Sequence, residues 1–210
     1  GAFLDVIHGT QKFVTSSFTT AGSACANLGV GPVMVDNAVG VIKAYITRVG
    51  EGPMPTELKD DLGVRMREKG GEYGTTTGRA RRCGWFDAVL GLKSVYLNGY
   101  TELALTKLDV LTGIDPIKIC IGYDLDGEKL GYPPEATEDL ARCQPIYEEM
   151  PGWTEDITEI KEYDDLPANA RAYVERLDDL LYVEPLDNCI AAVSVGPGRE
   201  QTIYLDEPED

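Results

Sequence analysis

The sequence is short of several things that other protein classes need. It has a single histidine, His8, so no site built from two histidines can form within it, and the common His-rich zinc arrangements are excluded. Its five cysteines, Cys25, Cys83, Cys120, Cys143 and Cys189, are odd in number, widely spread and free of any C-x-x-C spacing. That usage fits a reducing cytoplasm better than a disulfide scaffold or a zinc site. Basic residues are few: 19 Lys and Arg stand against 36 Asp and Glu, a formal net charge of −17. The sign disfavours nucleic acid and anionic membranes, both of which need a basic footprint. No apolar run approaches the roughly 18 residues that would cross a bilayer, and Gly1-Ala2-Phe3-Leu4-Asp5 carries no basic n-region of a secretory signal. There is no G-x-x-x-x-G-K-[ST] loop and no carboxylate pair in an obvious metal-binding spacing, so these residues alone offer no cradle for a triphosphate. The chain begins at Gly1, not methionine, and runs straight into patterned sequence, which leads us to expect the later part of a longer protein.

What is present reads as a globular α/β chain. The length of 210 residues suits one domain or two small ones, and 43% hydrophobic with 26% charged residues argues against disorder. Residues 1–30 read as a loop leading to a helix. Residues 33–48 read as a strand or short helix followed by a strand, ending in alternating β-formers over 39–48. A 3.6-residue period over 56–69 predicts an amphipathic helix with Leu58, Leu62 and Val64 or Met66 on one side. Residues 86–99 read as a second helix, 102–106 and 117–123 as strands, and 131–151 as an irregular Pro- and Glu-rich excursion. A third helix spans 169–181 with Tyr173, Leu177 and Leu180 on one face, and a buried-type strand spans 189–195. Strands alternating with helices predict an α/β fold with a mainly parallel central sheet flanked by helices. In such sheets ligands sit beyond the carboxyl ends of the strands.

Three segments fall at such ends or in adjoining loops. Gly74-Thr75-Thr76-Thr77-Gly78-Arg79-Ala80-Arg81-Arg82 gathers three hydroxyls, a glycine and three guanidinium groups inside an acidic chain. Guanidinium forks grip carboxylate or phosphate bidentately, so the loop reads as a receptor for small anions. The competing reading is a surface loop whose arginines pair with the chain's own carboxylates. Thr106-Lys107-Leu108-Asp109 follows an apolar strand and resembles the guanine-reading element of GTP-binding proteins, in which the aspartate accepts from both N1–H and the exocyclic amine; a solvated turn is the bland alternative. Ser194-Val195-Gly196-Pro197-Gly198-Arg199 is a glycine-rich turn after a buried strand, able to approach a nucleotide with its backbone or to serve as an ordinary tight turn. Thr15-Ser16-Ser17 with Thr19-Thr20-Ala21-Gly22 is a further hydroxyl patch that could meet a phosphate or cap a helix. His8 lacks a paired Ser or Cys arrangement and reads as structural.

Together these segments resemble the adenylosuccinate synthetase family. The resemblance runs through Leu4-Asp5, His8-Gly9-Thr10, Val14-Thr15-Ser16-Ser17, Lys43-Ala44-Tyr45, Thr47-Arg48-Val49-Gly50-Glu51-Gly52-Pro53, the Thr-Arg loop to Asp87, Thr106-Lys107-Leu108-Asp109-Val110, Tyr147-Glu148-Glu149-Met150-Pro151-Gly152-Trp153 and Val193 to Arg199, in order and nearly end to end. It implies that residues 1–210 are the C-terminal portion of such a protein, with a P-loop-NTPase-like sheet left incomplete. It implies a reaction in which GTP phosphorylates the 6-oxygen of IMP and the L-aspartate amine displaces that phosphate, giving adenylosuccinate, GDP and phosphate. By resemblance Thr15 and Arg79 meet IMP. Thr75, Thr76, Thr77, Gly78, Arg79, Ala80 and Arg81 meet aspartate, and Arg81, Lys107, Leu108, Asp109, Ser194, Val195 and Gly196 meet GTP. The catalytic aspartate and histidine, the phosphate-binding loop and the Mg2+ ligands of the family have no counterpart in this chain. A cytoplasmic homodimer is the implied setting. The alternative of a different class is a non-catalytic nucleotide- or dicarboxylate-binding module that uses the Thr-Arg loop alone.

Overall fold

The structure, a computed structural model, describes residues 1–75, 78–184, 186 and 189–205. In chain order the described residues form α1 (Gly22–Leu28), β1 (Val39–Lys43), β2 (Ile46–Arg48), α2 (Asp61–Gly70), β3 (Arg82–Gly84), β4 (Phe86–Asp87), α3 (Ala88–Asn98), β5 (Glu102–Thr106), β6 (Ile117–Leu125), β7 (Glu128–Leu130), α4 (Thr137–Arg142), β8 (Gln144–Met150), α5 (Ala168–Leu181), β9 (Cys189–Ser194) and β10 (Thr202–Tyr204). A central sheet has the order β1-β5-β9-β10, with β1, β5 and β9 parallel and β10 antiparallel at the edge. The expected mainly parallel sheet with helices around it is therefore present. β5 is one of its two inner strands, and Leu103 and Leu105, on one face of it, are fully buried. A second sheet forms around β6, which pairs parallel with β4 and antiparallel with β7 and β8. β2 and β3 make a short antiparallel ribbon between the two sheets in sequence.

Several boundaries differ from the sequence reading, each for a local reason. The helix expected over 56–69 begins only at Asp61, because the Asp60 carboxylate accepts from Gly63 N at 3.2 Å and caps it from an extended conformation. Glu57, upstream, bridges to Gly84 instead. Of the two candidates for its inner face, Met66 is fully buried and Val64 is exposed. The run 39–48 breaks at Ala44-Tyr45, so β1 joins the central sheet and β2 joins the ribbon. Phe86 and Asp87 are strand rather than helix, since Asp87 caps α3 by accepting from Leu90 N at 3.0 Å. The segment 131–151 is not irregular: it contains α4 and the seven-residue β8, paired with β6 from Gln144 to Met150. Pro145 sits in β8 without penalty because that strand is paired on one side only. In α5 the inner face is Tyr173, Val174, Leu177 and Leu181, with Leu180 half-buried at its margin.

Asp87 does more than cap. It is 1% exposed, and its second oxygen accepts from the Tyr123 hydroxyl at 2.6 Å. Burial pushes its carboxyl up to about 6, against the hydrogen bonds from Tyr123, Leu90 and Val89. The folded state therefore holds a proton that the unfolded chain gives up, and stability falls as pH rises from about 4 to about 6. Two units at about 1.4 kcal/mol each put the loss at roughly 3 kcal/mol. Asp87→Asn keeps an acceptor for Leu90 N and offers an amide N–H to the tyrosine oxygen. Denaturant unfolding of the full-length protein across this window should be flatter for the variant than for the parent. The same slope in both would remove Asp87 as its source.

Candidate functional site

The three parallel strands deliver the candidate residues to one edge. Lys43 at the end of β1 lies opposite Thr106 at the end of β5, and Leu105 lies opposite Val193 one residue before the end of β9. Lys107-Leu108-Asp109 and Ser194-Val195-Gly196, far apart in sequence, thus leave neighbouring strands at the same side. Lys107 adopts a left-handed conformation, φ 66°, that turns the chain sharply into a 3₁₀ turn over Leu108–Leu111, and its amine donates to Gly70 O at 2.8 Å. Asp109 is half-buried. Burial raises its carboxyl above the ordinary value, while the charges of Lys107 and Lys69 work the other way. The Ser194 hydroxyl donates to Gly196 O at 2.8 Å, and Val195 N donates to Gln201 O at 2.9 Å. A Cβ at Gly196 would run into the Gln201 side chain, which is itself tied to Gly198 N and Thr158 O. Leu108 and Val195 are fully buried, so neither side chain is open to a ligand.

The Thr-Arg loop leaves α2 and returns as β3. It folds back on itself: Tyr73 bridges to Ala80, Gly74 N donates to Arg79 O at 2.8 Å and Gly78 N to Gly74 O at 2.8 Å, with Gly78 at φ 64°. Thr75, Gly78, Arg79 and Ala80 are exposed at its tip; Thr76 and Thr77 lie outside the described residues. The three guanidinium groups divide. Arg82 is committed to structure by a bidentate pair with Glu57 at 2.7 and 2.6 Å and by donation to the carbonyls of Gly50 and Gly52. That pair holds Glu57 below the usual carboxylate range. The competing reading of the loop, arginines paired with the chain's own acids, thus holds for Arg82. Arg79 stands at the tip. Arg81 donates one Nη1 bond to Glu72 at 2.8 Å.

Glu72 is a residue the sequence reading missed. It is 1% exposed and accepts from Lys43 Nζ at 2.8 Å on both oxygens, from Tyr45 OH at 2.7 Å and from Arg81. Burial works to raise its carboxyl, yet the bonds and charges of Lys43, Tyr45 and Arg81 outweigh it and hold the group below its ordinary value. Two cations on one anion leave the cluster net positive. The signal was available: a lone acid immediately before an arginine-rich loop.

Thr15 sits apart from the strand ends, half-buried, in a cleft of about 420 Å3 lined by Leu4, Phe13, Val14, Val49, Gly50 and Glu51. Its N–H donates to Leu4 O at 2.7 Å. Arg48, nine-tenths buried, builds this cleft by donating to Thr10 Oγ1, Phe13 O, Glu51 O and Pro53 O. The ribbon register Arg48↔Arg82 places the cleft wall beside the exit of the Thr-Arg loop, so cleft and loop share one scaffold. His8 contributes its N–H to the Asp5 carboxylate, a local turn. Among the described residues no three of His, Cys, Asp and Glu stand together as a metal site. No described helix is long and apolar enough to cross a membrane.

Parallel strands that end on one side at Lys43, Lys107 and Asp109 make this an open-sheet α/β fold, a class whose ligands sit beyond the carboxyl ends of the strands. Comparison narrows this. The chain belongs to the adenylosuccinate synthetase family, whose model matches residues 1–203. It is 77% identical over 206 residues to the adenylosuccinate synthetase of Methanothrix thermoacetophila, covering 98% of this chain and 48% of that protein. It is 64% identical over 202 residues to that of Methanosarcina barkeri, covering 96% and 46%. A solved structure of fully ligated adenylosuccinate synthetase from Plasmodium falciparum superposes with a TM-score of 0.93 at 41% identity, over 98% of this chain and 48% of that one. The chain spans about half the length of the curated relatives it matches.

Proposed function

We propose that residues 1–210 are the C-terminal portion of a GTP-dependent ligase that joins IMP and L-aspartate to form adenylosuccinate, GDP and phosphate. The observation that carries this reading is the meeting of Lys107-Leu108-Asp109 with Ser194-Val195-Gly196 at one sheet edge. Asp109 would accept from N1–H and the 2-amino group of guanine, a pair of donors adenine lacks. The Lys107 stem and the backbone of Leu108, Ser194, Val195 and Gly196 would form the walls. Arg79 and Arg81, with Thr75, Thr76, Thr77, Gly78 and Ala80, would hold the aspartate carboxylates. Arg79 would also reach IMP, whose phosphate Thr15 would meet in its cleft, and Arg81 would lie toward GTP. The cleft and loop sharing the β2–β3 ribbon supports substrates placed side by side. Mg2+, held by ligands outside this chain, would neutralise phosphate charge when bound. We place the protein in the cytoplasm as a homodimer. A non-catalytic binding module is not favoured, since the relatives at 77% and 64% identity are synthetases by name.

The full-length protein, assayed with IMP, aspartate and GTP, should form adenylosuccinate. Replacing GTP by ATP should cut turnover by about 100-fold or more, the discrimination a site built for hydrogen-bond donors achieves when they are missing. Equal use of both nucleotides would refute the guanine site; no product with either would refute the reaction.

A further inference from the structure

We infer that Glu72 is a positioning residue, which sets the guanidinium of Arg81 for an anionic ligand and acts through that arginine alone. The inference rests on the proposed role of Arg81 at the aspartate and GTP sites. Three observations carry it. Glu72 grips Arg81 twice: its carboxylate accepts from Nη1 at 2.8 Å, and its main-chain carbonyl accepts from Arg81 N at 2.9 Å. One residue therefore fixes both the backbone and the side chain of the same arginine. Next, Arg81 spends only Nη1 on this contact; Nε and Nη2 make no hydrogen bond among the described residues, while Arg67 Nε donates to Arg81 O at 2.9 Å. The guanidinium is anchored at one nitrogen and keeps its remaining donors for an incoming oxygen. Finally, Glu72 is itself immobilised. It is 1% exposed, and Lys43 from the end of β1 and Tyr45 just beyond it occupy its oxygens. Lys43 in turn is held by Thr47 Oγ1 at 2.9 Å. The anchor is thus part of the sheet edge.

A guanidinium pre-set in this way meets its ligand without spending side-chain entropy at the moment of binding. An unanchored arginine at the same position would keep its charge and lose that advantage.

The test is a double-mutant cycle in the full-length protein, with Glu72→Gln, Arg81→Leu and the pair, read as KM for aspartate, KM for GTP and kcat, and KM for IMP as a control. Glu72→Gln should raise the aspartate KM about 10- to 100-fold, the range a lost charge-assisted hydrogen bond allows, with a smaller change in kcat and none in the IMP KM. In the Arg81→Leu background the same change should add nothing further to the aspartate KM. Additive losses, or an unchanged aspartate KM in the single variant, would overturn the inference. An Arg81→Leu variant with normal use of both aspartate and GTP would overturn the assignment of Arg81 itself and the inference with it. Where Glu72→Gln does not fold, Glu72→Asp serves: it retains the charge but cannot reach Lys43 and Arg81 together, and should give a several-fold rise in aspartate KM. No rise there would equally overturn the role.

Discussion

Asp109→Ala in the full-length protein should raise the GTP concentration for half-maximal rate by about 100-fold or more, with IMP saturation unchanged. The carboxylate is proposed to take two donors of the guanine edge, and each hydrogen bond to a charged group contributes about 1.5–3 kcal/mol. Asp109 stands in a 3₁₀ turn half-buried beyond β5, with Lys107 and Lys69 near enough to oppose the rise that burial imposes on its carboxyl. A half-buried acceptor left without donors by adenine is the physical source of selectivity. Truncation removes that penalty, so the preference for GTP over ATP should shrink as the GTP KM grows. IMP should be spared because Thr15, its proposed contact, lies in a different cleft, walled by Val49, Gly50 and Glu51 after β2. Asp109→Asn should lose nearly as much, since its amide N–H would face a guanine donor. A GTP KM and a GTP-to-ATP ratio both unchanged in Asp109→Ala would remove this residue from the nucleotide site.

How much of this site could be read from residues alone depended on whether the partner was near in sequence. Lys107-Leu108-Asp109 stood out as a candidate because two charged residues flank a leucine just after an apolar strand, a local pattern. That Ser194-Val195-Gly196 lies beside it follows only from the adjacency of β5 and β9. Arg82 looked like Arg79 and Arg81 in sequence, and its commitment to Glu57 comes from the β2–β3 ribbon folding against the 56–58 segment. Glu72 was unread because its partners arrive from β1 and from Tyr45, across the sheet edge. β8 was hidden by composition: Glu148 and Glu149 in a Pro-flanked stretch read as solvated loop, yet Arg176 takes Glu148 at 2.9 and 2.8 Å and Lys118 takes Glu149 at 2.7 Å. The three longest helices were located, α4 was missed inside the stretch read as irregular, and the starts of α2 and α3 were missed where an aspartate cap holds the preceding residues extended, at Asp60 and Asp87.

Gly152→Ala should cost about 3 kcal/mol or more of stability and damage the proposed GTP site with it. A Cβ at 152 would fall on the backbone carbonyl of Ile114 and lie 2.9 Å from its carbon, and backbone cannot step aside as a flexible side chain can. Retreat by residue 152 is blocked as well. Its N–H donates to Asp115 Oδ1 at 2.9 Å, and its carbonyl accepts from Asn169 Nδ2 at 2.6 Å. The next residue is pinned too: Trp153 O accepts from Gly113 N at 2.7 Å, and Trp153 Nε1 donates to Thr112 Oγ1 at 3.0 Å. The segment displaced by the new methyl is therefore the 112–115 turn, which directly follows the 3₁₀ turn carrying Asp109. Overpacking of this kind exceeds ordinary single-substitution losses. Denaturant unfolding of the full-length protein should show a lower midpoint with the slope retained, and the surviving folded enzyme should need several-fold more GTP. Pro151→Ala, one residue earlier and exposed, should change neither by more than about 1 kcal/mol. A midpoint for Gly152→Ala equal to the parent's would show that the 112–115 turn yields freely, and that the close approach of residue 152 does not hold Asp109 in place.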